Sequence, residues 1–203
     1  GIYLYNSADS IVSGNYLSNN TTGIGLYTSS RIALTNNAIR SSLASGIWVY
    51  YSESATINSN IVESSSNAGI HLSIGSDSSS VIGNTISGGN DGIVIAASYS
   101  SISNNTVEAT TYGINLDSSA IYNVISANTI LGASYTSIYL FGADNNDVKS
   151  NMIVDSGGPT TNNAIFDYGT SNTISSNSIN DTSCTTTCYA LNLNGTSASL
   201  SGN

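Results

Sequence analysis

Apolar and polar residues alternate in short runs along the whole chain, as in Ile24-Gly25-Leu26 and from Ile125 through Ile130. A period of two marks strands with one buried face, and no 3.6-residue helical spacing competes with it. Gly, Ser and Asn separate the runs and mark corners. The runs also repeat. GIYLYNS (1–7) returns as GIGLYTS (23–29), GIWVYYS (46–52), GIHLSIG (69–75), GIVIAAS (92–98) and GINLDSS (113–119). It weakens to SIYLFGA (137–143), AIFDYGT (164–170) and ALNLNGT (190–196). A second unit follows each copy: an aliphatic residue, two small residues, Asn, any residue, then an aliphatic, as in ISANTI. Its Asn column is Asn15, Asn37, Asn60, Asn84, Asn105, Asn128, Asn151, Asn177 and Asn203. One such unit cannot bury its own apolar face, but stacked about 4.8 Å from the next copy it can. The pattern predicts an all-β, single-stranded parallel β-helix (β-solenoid) of about nine coils of 21–27 residues. Residues 1–203 form one domain, with Ile2, Ile24, Ile47, Ile70, Ile93, Ile114, Ile138, Ile165 and Leu191 as one core column.

The G-I-x-L and I-x-x-N-x-I segments and their Asn column resemble the right-handed parallel β-helix (PbH1) repeats of pectate-lyase-like and NosD-like proteins. The resemblance covers the whole chain and implies right-handed coiling. It implies little about function, because that family holds lyases, hydrolases, epimerases, phage spikes and surface proteins. The Asn column reads as an asparagine ladder, each amide bonding the next coil at a tight corner where Asn tolerates left-handed backbone. The small residues Ser7, Ser29, Ser52, Gly75, Ser98, Ser119, Ala143, Thr170 and Thr196 read as a second corner.

Composition narrows the partners. Ser, Thr and Asn supply 40, 20 and 27 of the 203 residues, and only 3 Lys or Arg stand against 12 Asp or Glu. With a net charge of -9, no basic face exists to neutralise phosphates, so nucleic acid is excluded. No apolar run approaches the ~18 residues of a membrane span. Cys184 and Cys188 are the only cysteines and lie too far from the only histidine, His71, to share a metal. A local disulfide stapling a short loop is expected, in an oxidising extracellular or cell-surface setting. Asn19, Asn20, Asn104, Asn180 and Asn194 stand in N-x-S/T sequons and are candidate glycosylation acceptors, at a frequency that chance alone supplies.

Two outward columns of the first strand carry the candidate contact face. One runs Tyr3, Gly25, Trp48, His71, Val94, Asn115, Tyr139, Phe166, Asn192; the other runs Tyr5, Tyr27, Tyr50, Ser73, Ala96, Asp117, Phe141, Tyr168, Asn194. Aromatic residues crowd both ends and thin out in the middle. They serve either sheet stability or contact with sugars or another protein. No catalytic set emerges: the acids are scattered, and the motifs of related epimerases and pectin hydrolases are missing. His71 and Asp117 share a face, two coils or about 10 Å apart. GGNDG (88–92) and ADNND (143–147) offer oxygens to Ca²⁺ but few carboxylates, so no cofactor is assigned beyond a weak calcium alternative.

Neither end of the sequence carries a capping segment, and irregular loops are expected at 154–163 and 180–189, leaving the solenoid at one corner. The reading is a non-catalytic extracellular structural or surface β-helix, stacking head-to-tail on itself as a filament or surface layer. The alternative is a polysaccharide-active enzyme of lyase or epimerase type, or a glycan-binding module.

Overall fold

The computed structural model describes residues 1–108, 110–155, 161–180 and 187–203. Every regular element among them is a β-strand, and every pairing is parallel between successive coils of a right-handed solenoid. Three parallel faces enclose the core. Sheet 1 carries the G-I-x-L strands, from Ile2–Tyr5 to Thr187–Leu193. Sheet 2 is nine-stranded and runs from Ile11–Ser13 to Ser199–Ser201. Sheet 3 holds the strands that follow the ladder Asn, from Tyr16–Ser18 to Ser178–Asn180. Ile61–Leu72 and Thr85–Ile95 run unbroken from sheet 3 into sheet 1, joining the two faces.

The register is the one the repeat predicts. Ile24 pairs with Ile2 and Ile47, and Ile70, Ile93, Ile114, Ile138, Ile165 and Leu191 continue the column coil by coil. From Ile24 to Ile165 these side chains are fully buried, while Ile2 and Leu191 in the outermost coils are partly so. The glycine that opens the earlier repeats has a steric reason. A Cβ on Gly23, Gly46, Gly69, Gly92 or Gly113 would come within 2.2–2.6 Å of a branched methyl of Ile39, Val62, Ile86, Val107 or Ile130. The absent side chain is filled by the neighbouring β-branched residue, which is close packing of the core.

The Asn ladder is continuous. Each ladder Asn donates its backbone N–H and its Nδ2 to the Oδ1 of the next, from Asn15→Asn37 at 2.9 Å to Asn177→Asn203 at 2.9 Å for the amide contacts. From Asn37 onward Nδ2 also reaches back to a sheet 2 carbonyl, such as Val12, Leu34 or Val81. Buried amides thereby meet partners that water would otherwise supply.

Two corner expectations are corrected. The left-handed residue is the one before each ladder Asn: Gly14, Asn36, Ser59, Gly83, Asn104, Ala127, Ser150, Ser176 and Gly202 all have φ between 53° and 67°. The ladder Asn itself keeps ordinary backbone, because its side chain must point inward to bond both neighbours. The second corner departs from the small-residue column. Ser29 Oγ accepts the Ser7 backbone N–H, and Ser52 Oγ accepts that of Ser29, as expected. Beyond them the contact passes to Ser79, Ser100, Asn123, Asn146 and Asn172, an asparagine ladder of its own in the later coils. Coils of different length move the inward position by a few residues, so a fixed offset from Gly-Ile loses it.

Of the loops expected at 154–163 and 180–189, residues 156–160 and 181–186, with Cys184, lie outside the described residues, while 161–163 and 187–189 are paired strand of sheet 1 rather than loop. Cys188 is disulfide-bonded. Asp167 occupies an apolar column between Leu140 and Leu193 and is fully buried. Its Oδ1 accepts from the Gly169 N–H (2.9 Å) and Asn172 Nδ2 (2.8 Å), while Oδ2 has no partner.

Candidate functional site

Sheet 1 is where sequence and geometry concentrate side chains that a ligand would use. Its two outward columns hold the expected register: Trp48 pairs with His71, Val94 with His71 and Asn115, and Tyr139 with Asn115 and Phe166. The parallel stacking brings aromatic rings together in two groups. In the early coils Tyr5 stacks on Tyr27 (centroids 5.4 Å apart), Tyr27 meets Tyr50 (5.2 Å), and Trp48 stacks beside Tyr50 (5.2 Å). Gly25 leaves its place to the Tyr3 ring, whose Cδ2 would be 2.8 Å from a Cβ there. In the late coils Tyr139 stacks with Tyr112 (5.6 Å) and Phe166 (5.3 Å), and Phe141 faces Tyr168.

Sheet propensity accounts for aromatics being on a strand, but not for how much of them remains open. Tyr3, Tyr5, Phe141 and Tyr168 are 60, 59, 52 and 51% exposed. Trp48, Tyr27, Tyr50, Tyr139 and Phe166 are half-buried, each presenting part of its ring outward.

Between the two stacks lies a polar window. Along the first column, Trp48 and Tyr139 are separated by His71, Val94 and Asn115, about 19 Å at the coil spacing. Along the second, Ser73, Ala96 and Asp117 separate Tyr50 from Phe141. Structure adds a third column, missed in the sequence, made of the residue before each repeat's glycine. There Asp91 stands between Ala68 and Tyr112. It is 7% exposed. Asn115 Nδ2 donates to its Oδ2 at 3.4 Å, and Asn90 Nδ2 to its Oδ1 at 3.2 Å. The signal in the sequence is an acid one position before Gly92, inside the GGNDG segment whose oxygens suggest only calcium.

Burial sets the protonation of the window. It raises the Asp91 carboxyl above the ordinary value, with the Asn115 hydrogen bond opposing. It lowers the His71 imidazole, with the Asp117 charge opposing, which keeps His71 neutral near pH 7. Burial, with smaller contributions from Tyr135 and Asp91, raises Tyr112, so it stays a phenol. Asp117 accepts from the Ser119 N–H at 2.8 Å. The window thus presents a neutral imidazole, an amide, a phenol and the Asp117 carboxyl group on one face, with the Asp91 carboxyl buried beside them. These are hydrogen-bonding partners for hydroxyl groups, set between rings that can stack on apolar ring faces.

Two further features border this face. A groove of about 310 Å³ runs beside Trp48 and His71, lined also by Thr22, Ala44, Ser45 and Asn67. At the corner toward sheet 2, Tyr99 stacks on Tyr122 at 5.4 Å, in the middle coils where sheet 1 has no ring in its second column. Both take left-handed backbone, at φ 56° and 57°, which bulky side chains seldom adopt.

The remaining sequence candidates lie elsewhere. Asn19, Asn104, Asn180 and Asn194 are exposed and Asn20 is half-buried. The carboxylates of the two calcium segments hold protein partners: Asp91 as above, Asp144 the Thr170 N–H at 2.6 Å, and Asp147 the Lys149 ammonium. Among the described residues no three His, Cys, Asp or Glu side chains converge. Among the described residues no helix is long and apolar enough to cross a membrane.

Comparison with known proteins agrees with this architecture. Residues 1–86 match the model of a right-handed β-helix region. Among solved structures, the periplasmic alginate epimerase AlgG superposes with a TM-score of 0.67 at 16% identity, over 89% of this chain and 50% of that one. An alginate lyase from Paenibacillus sp. str. FPU-7 gives 0.65 at 12% identity, over 94% of this chain and 75% of that one. The DFA-IIIase of Arthrobacter chlorophenolicus A6 gives 0.65 at 14% identity, over 81% and 49%. Identities this low show a shared fold alone, and the chain spans half the length of the epimerase (50%). No curated protein matches it in sequence. Residues 74–198, more than half of the chain, match the model described as periplasmic copper-binding protein (NosD), and by that match the chain belongs to the NosD family.

Proposed function

We propose that the chain is a glycan-binding β-helix module acting outside the cytoplasm, with sheet 1 as its binding face. One observation carries the reading: two open aromatic stacks flank a polar window on a single sheet face. A sugar chain laid along the solenoid axis would stack on Tyr27, Tyr50 and Trp48 at one end and on Tyr139 and Phe166 at the other. Its hydroxyls would meet Asn115, Asp91 and His71 between them. The solved neighbours named for alginate and DFA-III support a saccharide ligand, and those named periplasmic, with the disulfide-bonded Cys188, support an extracytoplasmic place.

The copper in the NosD description finds no fitting donor set among the described residues. His71 is the single histidine of the chain and has Trp48 and Val94 as its neighbours in register. Cys188 is in a disulfide. Nothing in the binding reading depends on a metal.

Affinity electrophoresis of the chain through gels containing individual polysaccharides tests the proposal. Retention by at least one polymer is expected, weakened about tenfold by Tyr139→Ala, the loss of roughly one ring–sugar contact. Equal retention of Tyr139→Ala and Tyr27→Ala variants with parental circular dichroism would sink it. The presence of His71, Asp91 and Asp117 on the same face favours a second reading, acid–base chemistry on the bound glycan; new reducing ends or altered sugar stereochemistry in NMR spectra of incubated polymer would establish it. Head-to-tail stacking of solenoids is a separate proposal that uses the strand edges rather than this face, and sedimentation velocity across a concentration series tests it.

A further inference from the structure

The placement of charge on the molecule points to the class of glycan. We propose that the sheet 1 window selects uncharged polysaccharides and rejects polyuronates, an inference that rests on the glycan-binding reading and deepens it. A cation is the strongest and most directional partner for a uronate carboxylate. The sequence contains three cations, Arg31, Arg40 and Lys149. All three are held elsewhere. Arg31 is bidentate to Asp9 at 2.6 and 2.8 Å, on the corner between sheets 1 and 2. Arg40 meets Glu63 at 2.8 Å on sheet 3, where the two residues pair in register. Lys149 pairs with Asp147 on sheet 2.

Sheet 1 itself carries only the opposite sign. Asp91 and Asp117 are the ionisable acids of the window, and the His71 imidazole beside them is neutral near pH 7. A polyuronate bears a carboxylate on each sugar, so laying one along the axis would set anions against the half-buried Asp117. Like charges about 4 Å apart cost roughly 1 kcal/mol in water and about 4 kcal/mol at a protein surface. The net charge of -9 adds a long-range repulsion that slows encounter. A neutral sugar meets none of these costs. It requires an apolar ring face for Trp48 or Tyr139 and hydroxyl partners, which Asn115, Asp91 and Tyr112 offer. The shared fold with alginate-active proteins therefore carries a face of different charge character.

The test compares the purified chain with neutral polymers (laminarin, xylan, galactomannan) and with alginate and polygalacturonate, at about 20 mM and about 0.5 M salt. A neutral polymer is expected to bind at least about tenfold tighter than either polyuronate at low salt. Ser73→Lys, which places a cation in the window between Tyr50 and Ala96, should raise alginate affinity several-fold at low salt, and the gain should vanish at high salt. Alginate or polygalacturonate binding the parent as tightly as the best neutral polymer would overturn the selectivity while leaving glycan binding intact. A Ser73→Lys variant with no gain would overturn charge as its cause. Retention by no polymer of either class would remove the glycan-binding reading, and this inference with it.

Discussion

Gly69 lies directly against Ile86: a Cβ on Gly69 would stand 2.3 Å from Ile86 Cγ2 and 2.8 Å from the carbonyl oxygen of Gly92. The first contact is with a branched side chain filling the core, and the second is with the backbone of the next coil. Neither yields without moving a strand. Gly69→Ala is expected to destabilise the solenoid by about 1–3 kcal/mol, as overpacking does. Ile86→Ala opens a cavity of its own. In the double variant the methyl clash is relieved, so its loss in thermal stability should be smaller than the sum of the two single losses. Strict additivity would show that the Gly69–Ile86 contact does not matter.

The ladder predicts a difference between middle and edge. Asn105 accepts the backbone N–H and the Nδ2 of Asn84, both at 2.9 Å, and donates to Asn128 Oδ1 and to the Val81 carbonyl. Asn105→Ala leaves several buried polar groups without partners, each costing about 1–3 kcal/mol. Asn15→Ala, at a half-buried position in the first coil, should cost under about 1 kcal/mol. Thermal melts followed by circular dichroism compare the two, and similar losses would contradict the ladder's role.

Ala127 holds left-handed backbone, φ 53°, at an exposed corner. A Cβ in that region costs roughly 1–2 kcal/mol. Glycine removes this cost but loses about 0.5–1 kcal/mol to extra freedom in the unfolded chain. Ala127→Gly is therefore expected to raise stability slightly, by at most about 1 kcal/mol. Gly83 and Gly14 occupy the same corner position in other coils. A fall in melting temperature would contradict the strain.

Asp167 makes stability depend on pH. Burial raises its carboxyl above the ordinary range, the Gly169 and Asn172 hydrogen bonds oppose this, and the Asp144 charge adds to the rise. A raised acid binds its proton more tightly when folded. Its contribution is present below the unfolded value of about 3.9 and is lost as pH rises through the higher folded value. Asp167→Asn keeps an oxygen for Gly169 and Asn172 without the charge. The variant should exceed the parent by about 1–3 kcal/mol near pH 7 and lose that advantage near pH 3. Asp91 shares this sign, whereas His71, lowered by burial, costs stability as pH falls below about 6.5. Melting temperatures from pH 3 to 8 measure the difference, and a parallel shift at every pH would contradict it.

Much of this was legible in the order of residues. The period of two places Ile70 and Leu72 inside and His71 outside, and the repeat aligns them with Ile47, Trp48 and Val49. A strand side chain has only two directions, and parallel stacking repeats the choice in every coil, so local pattern and register determine one another. The aromatic ends and polar middle of sheet 1 followed from the same alignment. The tertiary structure decided what lies between the strands. Asp91 and Asn115 are 24 residues apart and meet diagonally across adjacent coils. Asn123, Asn146 and Asn172 form a ladder where the aligned column pointed to Ser119, Ala143 and Thr170. The corner residue that turns left-handed precedes the ladder Asn, because the inward amide needs ordinary backbone. Corners differ in length from coil to coil, and their side chains are set by contacts across coils, which a one-dimensional period does not encode.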